Sequence, residues 1–249
     1  MKAQLDQFLA KGWVKIEGFL SSQDVAISKK RILEYIKIKR AEYAGRDINF
    51  VDSGQLSSFH KLGDFRWANE FQNSALIKNL VTPFLCGESP EARGMELFAK
   101  PAGVGLPSPD HQDNYYWCVD DANALTVWIA LDPANQGNGA VHYYEGSHLG
   151  GLIEHEPSYA KGSSQKIKNA DILEKYNLAI PSLNPGDVLV HHCLTVHGSG
   201  PNLSNQSRLG WTMQFKSSSS EYNLEMKYKY EKDLADQIAG RSNNLKSNT

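Results

Sequence analysis

The stretch that decides the fold is PGDVLVHHCLTVHGSGPNLSNQSR, which runs from Pro185 to Arg208. Its apolar run, Val188–Val190, follows Pro, Gly and Asp, which are residues that favour turns. The remainder is interrupted by Gly, Pro, Asn and Ser, which destabilise the interior of a helix. The stretch therefore predicts a short strand with tight turns on either side.

The same pattern extends over residues 94–216. Short apolar runs there alternate with turn-forming clusters such as PAGVGLPSPD, DPANQGNG and EGSHLGG. Many short strands joined by tight turns are typical of a β-sandwich or a jelly roll. The predicted fold class is therefore mainly β, with a jelly-roll core and N-terminal helices packed on its outside.

The segment before this core carries a helical pattern. After a capping residue at Ser21 or Ser22, four apolar residues recur with helical spacing, namely Val25, Ile32, Ile36 and Tyr43. The lysines and arginines of this helix point away from that face, which favours a solvated surface over a nucleic-acid patch. Residues 46–58 are predicted to be a loop, and residues 68–86 are predicted to be helical.

A single domain is predicted over residues 1–249, because no internal repeat or low-complexity linker interrupts the chain. We expect helical support over about 1–93 and the jelly-roll core over about 94–216. A charged segment with helical character predicts a C-terminal helix over about 221–240.

The composition excludes several classes of protein. With 41% hydrophobic and 22% charged residues, the chain can bury a core and is neither disordered nor collagen-like. Its net charge of −2 provides no basic field for nucleic acid or an anionic membrane, and no apolar run is long enough to span a bilayer. The N-terminus does not read as a signal peptide and the three cysteines are widely spaced, so we expect a reduced, cytoplasmic protein, either a monomer or a homodimer.

Histidine and aspartate residues are the candidate metal ligands. In a strand, His111 and Asp113 would project to the same side, because alternate residues share a face. His197 follows the predicted strand Val188–Val190. Two imidazoles and one carboxylate on one side of a metal form the facial arrangement of non-haem Fe(II) oxygenases. A structural zinc site would need four ligands, usually with cysteines among them, and the chain offers no suitable cysteine pair.

Ser199 and Arg208 favour His197 over the neighbouring His191 and His192 as the third ligand. Ser199 lies two residues after His197, and Arg208 precedes the next apolar run. An arginine binds a carboxylate through two parallel hydrogen bonds and keeps its charge when buried. The serine and the arginine therefore predict a receptor for a carboxylate held several ångströms from the metal.

Six segments of the chain, taken in order, are DQFLAKGWVKIEGFL, FHKLGDF, FAKPAG, HQDNYYW, VWIALDPANQGNGAVHYYEGSH and the stretch quoted above. They resemble the landmarks of the phytanoyl-CoA dioxygenase family of Fe(II)/2-oxoglutarate-dependent oxygenases. The resemblance covers nearly the whole chain, and its last segment is the most specific one. It implies that the jelly roll is a double-stranded β-helix.

The resemblance also implies a set of site residues. The residues that would hold Fe(II) are His111, Asp113 and His197. The residues that would contact the cosubstrate 2-oxoglutarate are Arg208, Ser199, Trp128, Gln112 and Lys61. Arg208 and Ser199 would bind its distal carboxylate, and Trp128 would pack beside it.

The activity that the resemblance implies is hydroxylation of an unactivated C–H bond in a small metabolite or natural-product precursor. O2 would be consumed, succinate and CO2 would be released, and ascorbate is expected to support activity. Halogenating relatives carry a small residue where Asp113 stands, so hydroxylation or a related oxidation such as desaturation is favoured. The segment from Gly150 to Pro181 is predicted to be either a lid over the site or a surface loop.

Two other classes of function are compatible with the same residues. One is a non-catalytic jelly-roll protein that binds a small molecule without turnover. The other is a cupin-like hydrolase or isomerase with zinc or manganese, which would work without O2 and 2-oxoglutarate. Loss of Arg208 would matter little in the second case, whereas an oxygenase would lose affinity for its cosubstrate.

Overall fold

The computed structural model describes residues 1–43, 47–160 and 163–246. Seven strands form the larger sheet: β1 (Trp13–Ile16), β2 (Ile48–Phe50), β3 (Leu56–Phe59), β4 (Pro90–Lys100), β6 (Ala124–Ala130), β11 (Val188–His192) and β13 (Arg208–Ser217). Their order across the sheet is β1-β11-β6-β13-β4-β3-β2, and the pairs are antiparallel. Strands far apart in sequence therefore lie side by side at the centre of the molecule.

The smaller sheet packs against one face of the larger one. Its four strands are β5 (Ser108–His111), β7 (Val141–Tyr144), β10 (Leu178–Ala179) and β12 (His197–Ser199), in the order β10-β7-β12-β5. Trp13 of the larger sheet stacks on Tyr143 of the smaller one, with ring centroids 5.1 Å apart. A separate hairpin is formed by β8 (His155–Ala160) and β9 (Ser163–Ile167). The predicted mainly β, jelly-roll core is confirmed.

Six α-helices accompany the sheets in the described part of the chain: α1 (Lys2–Lys11), α2 (Ser22–Tyr43), α3 (Arg66–Gln72), α4 (Ala75–Val81), α5 (Asn114–Trp117) and α6 (Leu224–Lys246). The helix α2 begins after Ser21, whose hydroxyl oxygen accepts a hydrogen bond from the backbone N–H of Asp24 at 3.1 Å. Its four predicted core residues are all buried. Among the described residues, no helix combines the length and the apolar character that a membrane span requires.

The central strands are buried on both faces, and their alternation separates the core from the site. In β13, Trp211, Met213 and Phe215 join the hydrophobic core on the helical side. Thr212 and Gln214 point to the other side, toward the smaller sheet. Fully burying a large apolar side chain stabilises a fold by about 1.5–3 kcal/mol, so this core holds the backbone of the inner face in place.

The N-terminal region differs from its prediction in two places. Residues 46–58 were expected to form a loop; residue 46 lies outside the described residues, but the others contain β2 and most of β3, which extend the larger sheet beyond β4. The helix expected over 68–86 is divided at Asn73, and Ser74 caps the second helix by accepting from the N–H of Ile77 at 3.4 Å. The first 93 residues are therefore not only helical support, since they also supply three strands of the sheet. The short pairings of β2 and β3 depend on β4, and local sequence carries no signal for that partner.

Candidate active site

Three side chains that can hold a metal ion meet between the two sheets, namely His111, Asp113 and His197. Their ligand atoms all lie within 4.8 Å of one another. His111 and His197 are direct partners in the register of β5 and β12. Antiparallel pairing therefore places the two imidazoles side by side, with ring centroids 4.4 Å apart.

Both imidazoles are held by the backbone through Nδ1. His111 Nδ1 donates to the carbonyl oxygen of Pro109 at 2.8 Å, and His197 Nδ1 donates to that of Thr195 at 2.9 Å. Because a carbonyl oxygen only accepts, each Nδ1 carries the proton and each Nε2 keeps its lone pair. Each Nε2 lies 3.7 Å from Asp113 Oδ1. Two imidazole nitrogens and one carboxylate oxygen are the donor set of non-haem Fe(II) sites, so these residues fit that ion.

Asp113 reaches the group from the start of a helix. The strand β5 ends at His111, and Asp113 is the N-cap residue of α5, with φ −58° and ψ −35°. The expectation that His111 and Asp113 share one face of a strand is therefore wrong, although the two side chains do converge. The chain turns here because the N–H of Asn114 donates to the carbonyl oxygen of Cys193 at 2.9 Å, which ties α5 to the segment after β11.

The second carboxylate oxygen of Asp113 is fixed by two donors. Thr126 Oγ1 donates to Oδ2 at 2.7 Å, and His191 Nε2 lies 3.2 Å from the same atom. The Tyr143 hydroxyl lies 3.0 Å from His191 Nδ1, so a neutral His191 can accept from the tyrosine and donate to the carboxylate. Burial raises the pKa of Asp113, but the surrounding imidazoles, with His197 foremost, lower it more, and the carboxylate stays charged. The other oxygen, Oδ1, remains directed at His111 and His197.

His191 belongs to the site, although the sequence indicated it only as an alternative to His197 as a metal ligand. It is 2% exposed, lines the same cavity and contacts Asp113 from the side. Strand alternation in β11 could have placed it on the inner face, two residues after Leu189. Its contact with Asp113 depends on the pairing of β11 with β6, which local sequence does not reveal.

Arg208 lies at the start of β13 with its guanidinium buried. Its Nε and Nη2 both donate to the carbonyl oxygen of Gly139, at 3.1 and 2.6 Å. Its Nη1 is buried and has no hydrogen-bond partner among the described residues. An unpaired buried donor is costly, so this atom suits an anionic ligand such as a carboxylate. Burial lowers the pKa of Arg208 to about 10, and the group remains charged near neutral pH.

Trp128 and Ser199 border the same end of the cavity. The Arg208 guanidinium carbon lies 5.3 Å from the centroid of the Trp128 ring. The indole can occupy this position because the neighbouring residue is Gly210, where a Cβ atom would stand 2.0 Å from the ring. Ser199 is buried and lines the cavity two residues after His197. The structure therefore brings Arg208, Ser199 and Trp128 together beside the metal group.

A second cation accompanies Arg208. Lys100 is its register partner on β4, is 4% exposed, and donates from Nζ to the carbonyl oxygen of Leu106. Burial, followed by the charge of Arg208, lowers the pKa of Lys100 to about 7. Arg208 therefore supplies the fixed positive charge at this end of the cavity, and this charge favours the binding of an anion.

Two predicted cosubstrate contacts do not line the cavity. Gln112 is buried, and its side chain holds surrounding loops by donating to the carbonyl oxygens of Gly151 and Leu194, at 2.9 and 2.7 Å. Lys61 is exposed, whereas the preceding residue, His60, lines the cavity. In the motif FHKLGDF, the backbone after β3 therefore turns the side chain of His60, and not that of Lys61, toward the cavity.

The cavity has a volume of about 590 Å³, within the range of small-molecule sites. Opposite the Arg208 end stand four polar side chains, here called the polar wall, namely Asn49, His60, Glu96 and Gln214. Burial lowers the pKa of His60, but its hydrogen bond to Glu96 and the charge of that carboxylate raise it more, so the pKa lies above its ordinary value. The sequence patterns predicted no function for the residues of the polar wall.

The hairpin and the C-terminal helix complete the cavity. Ala160 and Ser164 line it from β8 and β9, and Tyr230 lines it from α6. The segment from Gly150 to Pro181 therefore contributes side chains to the lining of the cavity.

The chain matches known proteins over most of its length. The model of the phytanoyl-CoA dioxygenase (PhyH) family matches residues 8–210. A probable alpha-ketoglutarate-dependent hypophosphite dioxygenase of Stutzerimonas stutzeri is 30% identical over 226 residues, covering 82% of this chain and 74% of that protein. The peroxisomal phytanoyl-CoA dioxygenase of Mus musculus is 25% identical over 215 residues, covering 82% of this chain and 57% of that protein.

A solved structure shares the fold. The non-heme alpha ketoglutarate dependent carbocyclase SnoK from nogalamycin biosynthesis superposes with a TM-score of 0.72 at 20% sequence identity. The match covers 90% of this chain and 86% of that one. It supports the jelly-roll architecture with helices on the outside of the larger sheet.

Proposed function

The chain belongs to the phytanoyl-CoA dioxygenase family of Fe(II)/2-oxoglutarate-dependent oxygenases, and on that premise we propose that it hydroxylates an unactivated C–H bond of a small molecule. Succinate and CO2 would be the other products, O2 the oxidant, and ascorbate an aid to sustained activity. The observation that carries the proposal is the meeting of the His111, Asp113 and His197 group with the unpaired Nη1 of Arg208 in one cavity.

Different side chains would bind the metal ion and the cosubstrate. His111, Asp113 and His197 would hold Fe(II) through two Nε2 atoms and one carboxylate oxygen. Arg208 and Ser199 would bind the distal carboxylate of 2-oxoglutarate. Bound Fe(II) and 2-oxoglutarate together supply an oxidant strong enough for an unactivated C–H bond, and the protein positions the substrate beside it.

One feature of the chain supports hydroxylation or a related oxidation over halogenation, and another supports a reacting centre shielded from water. The metal group contains the carboxylate of Asp113, whereas halogenating relatives have a small residue there. The cavity is bordered by the hairpin and by α6, and Tyr116 lies beside His111 with ring centroids 5.7 Å apart. Side chains that close around the metal group would keep water from the reacting centre.

Replacement of Arg208 tests the proposal. R208A should raise the KM for 2-oxoglutarate about 10- to 100-fold, because it removes charge-assisted hydrogen bonds to a buried carboxylate. R208K keeps a charge but loses the planar fork, and its KM should lie between those of R208A and the native protein. The measurements are succinate release and the visible charge-transfer band of the anaerobic Fe(II)/2-oxoglutarate complex.

Three results would contradict the oxygenase. A normal KM in a folded R208A variant would remove the assigned carboxylate receptor. Activity that persists without O2 and 2-oxoglutarate would favour a cupin-like hydrolase or isomerase. Absence of succinate release with Fe(II) and ascorbate, together with absence of the band, would favour a non-catalytic binding protein.

A further inference from the structure

The polar wall presents a carboxylate to the cavity that the oxygenase mechanism does not use. Glu96 lies on β4, and its side chain is 23% exposed in the absence of any ligand. His60 Nδ1 lies 2.6 Å from Glu96 Oε1, and Gln214 Nε2 donates to Oε2 at 3.0 Å. Among the described residues each oxygen has one hydrogen-bonding partner, and it can accept a second hydrogen bond. A carboxylate that other side chains hold in place at a small-molecule cavity can bind a hydrogen-bond donor of a ligand.

The wall is ordered by a chain of side-chain hydrogen bonds. Asn49 Nδ2 donates to Ser58 Oγ at 3.0 Å, and Ser58 Oγ lies 2.8 Å from His60 Nε2. When the Ser58 hydroxyl donates to Nε2, a neutral His60 can donate from Nδ1 to Glu96. Every group in this hydrogen-bonded network then has a partner. Both ring nitrogens of His60 are engaged in this network, and each Glu96 oxygen still has a lone pair that can accept a hydrogen bond from a ligand.

Gln214 is also held in one orientation. Residue 94 is glycine, and a Cβ there would lie 2.9 Å from Gln214 Oε1. The open space at Gly94 lets the amide oxygen turn toward β4 while the amide nitrogen reaches Glu96. The wall is therefore preorganised before a substrate arrives.

The charges around the cavity favour a cation over an anion. Among the described residues that line it, Arg208 is the only arginine or lysine, and it lies at the cosubstrate end. An anionic substrate would find Glu96 and no free basic side chain at the other end. A cationic substrate would gain a charge-assisted hydrogen bond there.

Aromatic rings stand next to Glu96. Phe98 lies two residues along β4 on the same face and contacts His60 edge-on, with centroids 5.7 Å apart. Tyr116 and Tyr230 line the cavity with their rings nearly perpendicular, at 5.7 Å and 83°. Burial and, among other charges, the nearby carboxylate of Glu96 raise the pKa of Tyr230, so this ring stays neutral. Neutral aromatic rings beside a carboxylate attract organic cations.

The sheet register places this subsite close to the metal group. Glu96, Thr212 and Trp128 lie in one row across β4, β13 and β6. Adjacent strands are about 4.8 Å apart, so Glu96 stands roughly 10 Å along the sheet from the strand whose Thr126 holds Asp113. Gln214, which donates to Glu96, is the register partner of Thr126, which donates to Asp113, so the subsite borders the metal group.

We propose that the substrate of this site is a small organic ammonium compound, whose cationic nitrogen binds Glu96 between Phe98, Tyr116 and Tyr230 while a C–H bond lies beside the metal group. This inference rests on the proposed function, because it takes the His111, Asp113 and His197 group as the reacting centre. It names the substrate class by charge and size, and it excludes acyl thioesters and other anions.

The test compares probes that differ only in head group. Butylamine (as the ammonium ion), 1-butanol and butanoate each have four carbon atoms in a straight chain and carry a cation, a neutral donor and an anion. Choline and its carbon isostere 3,3-dimethyl-1-butanol separate the charge from the hydrogen bond. Binding is measured by anaerobic calorimetry on the protein loaded with Fe(II) and 2-oxoglutarate, and again without them.

We expect the butylammonium ion to bind about tenfold or more tightly than 1-butanol, and butanoate to bind most weakly. Choline should bind at least about threefold more tightly than its isostere. E96Q should bring butylammonium and butanol within about threefold of each other, while E88Q, an exposed glutamate outside the cavity, should leave the native preference. Y230L should reduce the preference for choline.

Equal binding of the three head groups, or a preference for butanoate, would overturn the inference. So would an E96Q variant that keeps the cation preference, provided that its thermal unfolding and its charge-transfer band match the native protein. If the band fails to form in native protein, the oxygenase proposal falls, yet the titrations without Fe(II) still report whether the cation subsite exists.

Discussion

The two ends of the cavity are held together in different ways. At the metal end, His111, His197 and Arg208 each donate to a backbone carbonyl oxygen. At the polar wall, Glu96 and His60 are held by other side chains. A side chain anchored on the backbone keeps its position as long as the fold persists. A side chain anchored on other side chains can change with a single substitution. The imidazoles and the guanidinium of the metal end are thus held by the backbone, whereas Asp113 and the polar wall are held by other side chains.

The largest effect should come from removing a ligand at the backbone-anchored end. H197A should weaken Fe(II) binding more than about a hundredfold and abolish succinate release. This loss exceeds the one typical of residues that only hydrogen-bond to the metal ligands. Iron content after dialysis and calorimetric titration with Fe(II) measure the change. H142A is the matched control, since His142 lies on the adjacent strand opposite Gly198 and pairs with Asp110. Equal iron binding in H197A and H142A would remove His197 from the metal group.

A smaller effect is expected where a side chain supports the metal end. H191F keeps the ring volume but removes the donor to Asp113 Oδ2, so Fe(II) affinity should fall about 10- to 100-fold. The KM for 2-oxoglutarate at saturating Fe(II) should change little, because Arg208 is untouched. A titration of Fe(II) against the apoprotein separates the two quantities. An H191F protein with native iron affinity would show that Thr126 alone positions Asp113.

The smallest effect concerns a buried charge and depends on pH. The pKa of Lys100 is lowered to about 7 in the folded protein, below its ordinary value of 10.5. Between these values the unfolded chain binds more protons, so this residue makes stability rise with pH from about 7 upward. K100M should flatten that rise. Urea unfolding at pH 6.5, 7.5 and 8.5 measures it, and an identical pH dependence in K100M and native protein would contradict the buried charge.

The residues of the metal end could be proposed from the sequence because they fall into two local motifs, one at His111 and Asp113 and the other from His197 to Arg208. His197, Ser199 and Arg208 occur within one strand–turn–strand stretch, and all three line the cavity. The pairing of His111 with His197 follows from two short strands that meet antiparallel. The strand geometry assigned to Asp113 was wrong, since a helix start presents its carboxylate. Asp113 could still be proposed as a ligand, because several local backbone geometries can bring a carboxylate to the same point.

The polar wall was not predictable, because no part of it is local. Glu96 lies in β4, Gln214 in β13 and Asn49 in β2, a strand that was taken for a loop. His60 lines the cavity and Lys61 is exposed. The backbone conformation after β3 decides which of these two neighbours points inward. Gln112 was expected beside the cosubstrate, but it supports the loops around Gly151 and Leu194.

By itself the sequence predicted a jelly roll, three candidate metal ligands and a candidate carboxylate receptor, because turn residues, strand periodicity and short spacings act over a few residues. Only the tertiary structure decided that His191 steadies Asp113, that Lys100 stands beside Arg208, and that Glu96 faces the metal end across the cavity. These contacts join strands distant in the chain. Their free energy depends on a register that the whole sheet sets through its hydrogen bonds and buried faces.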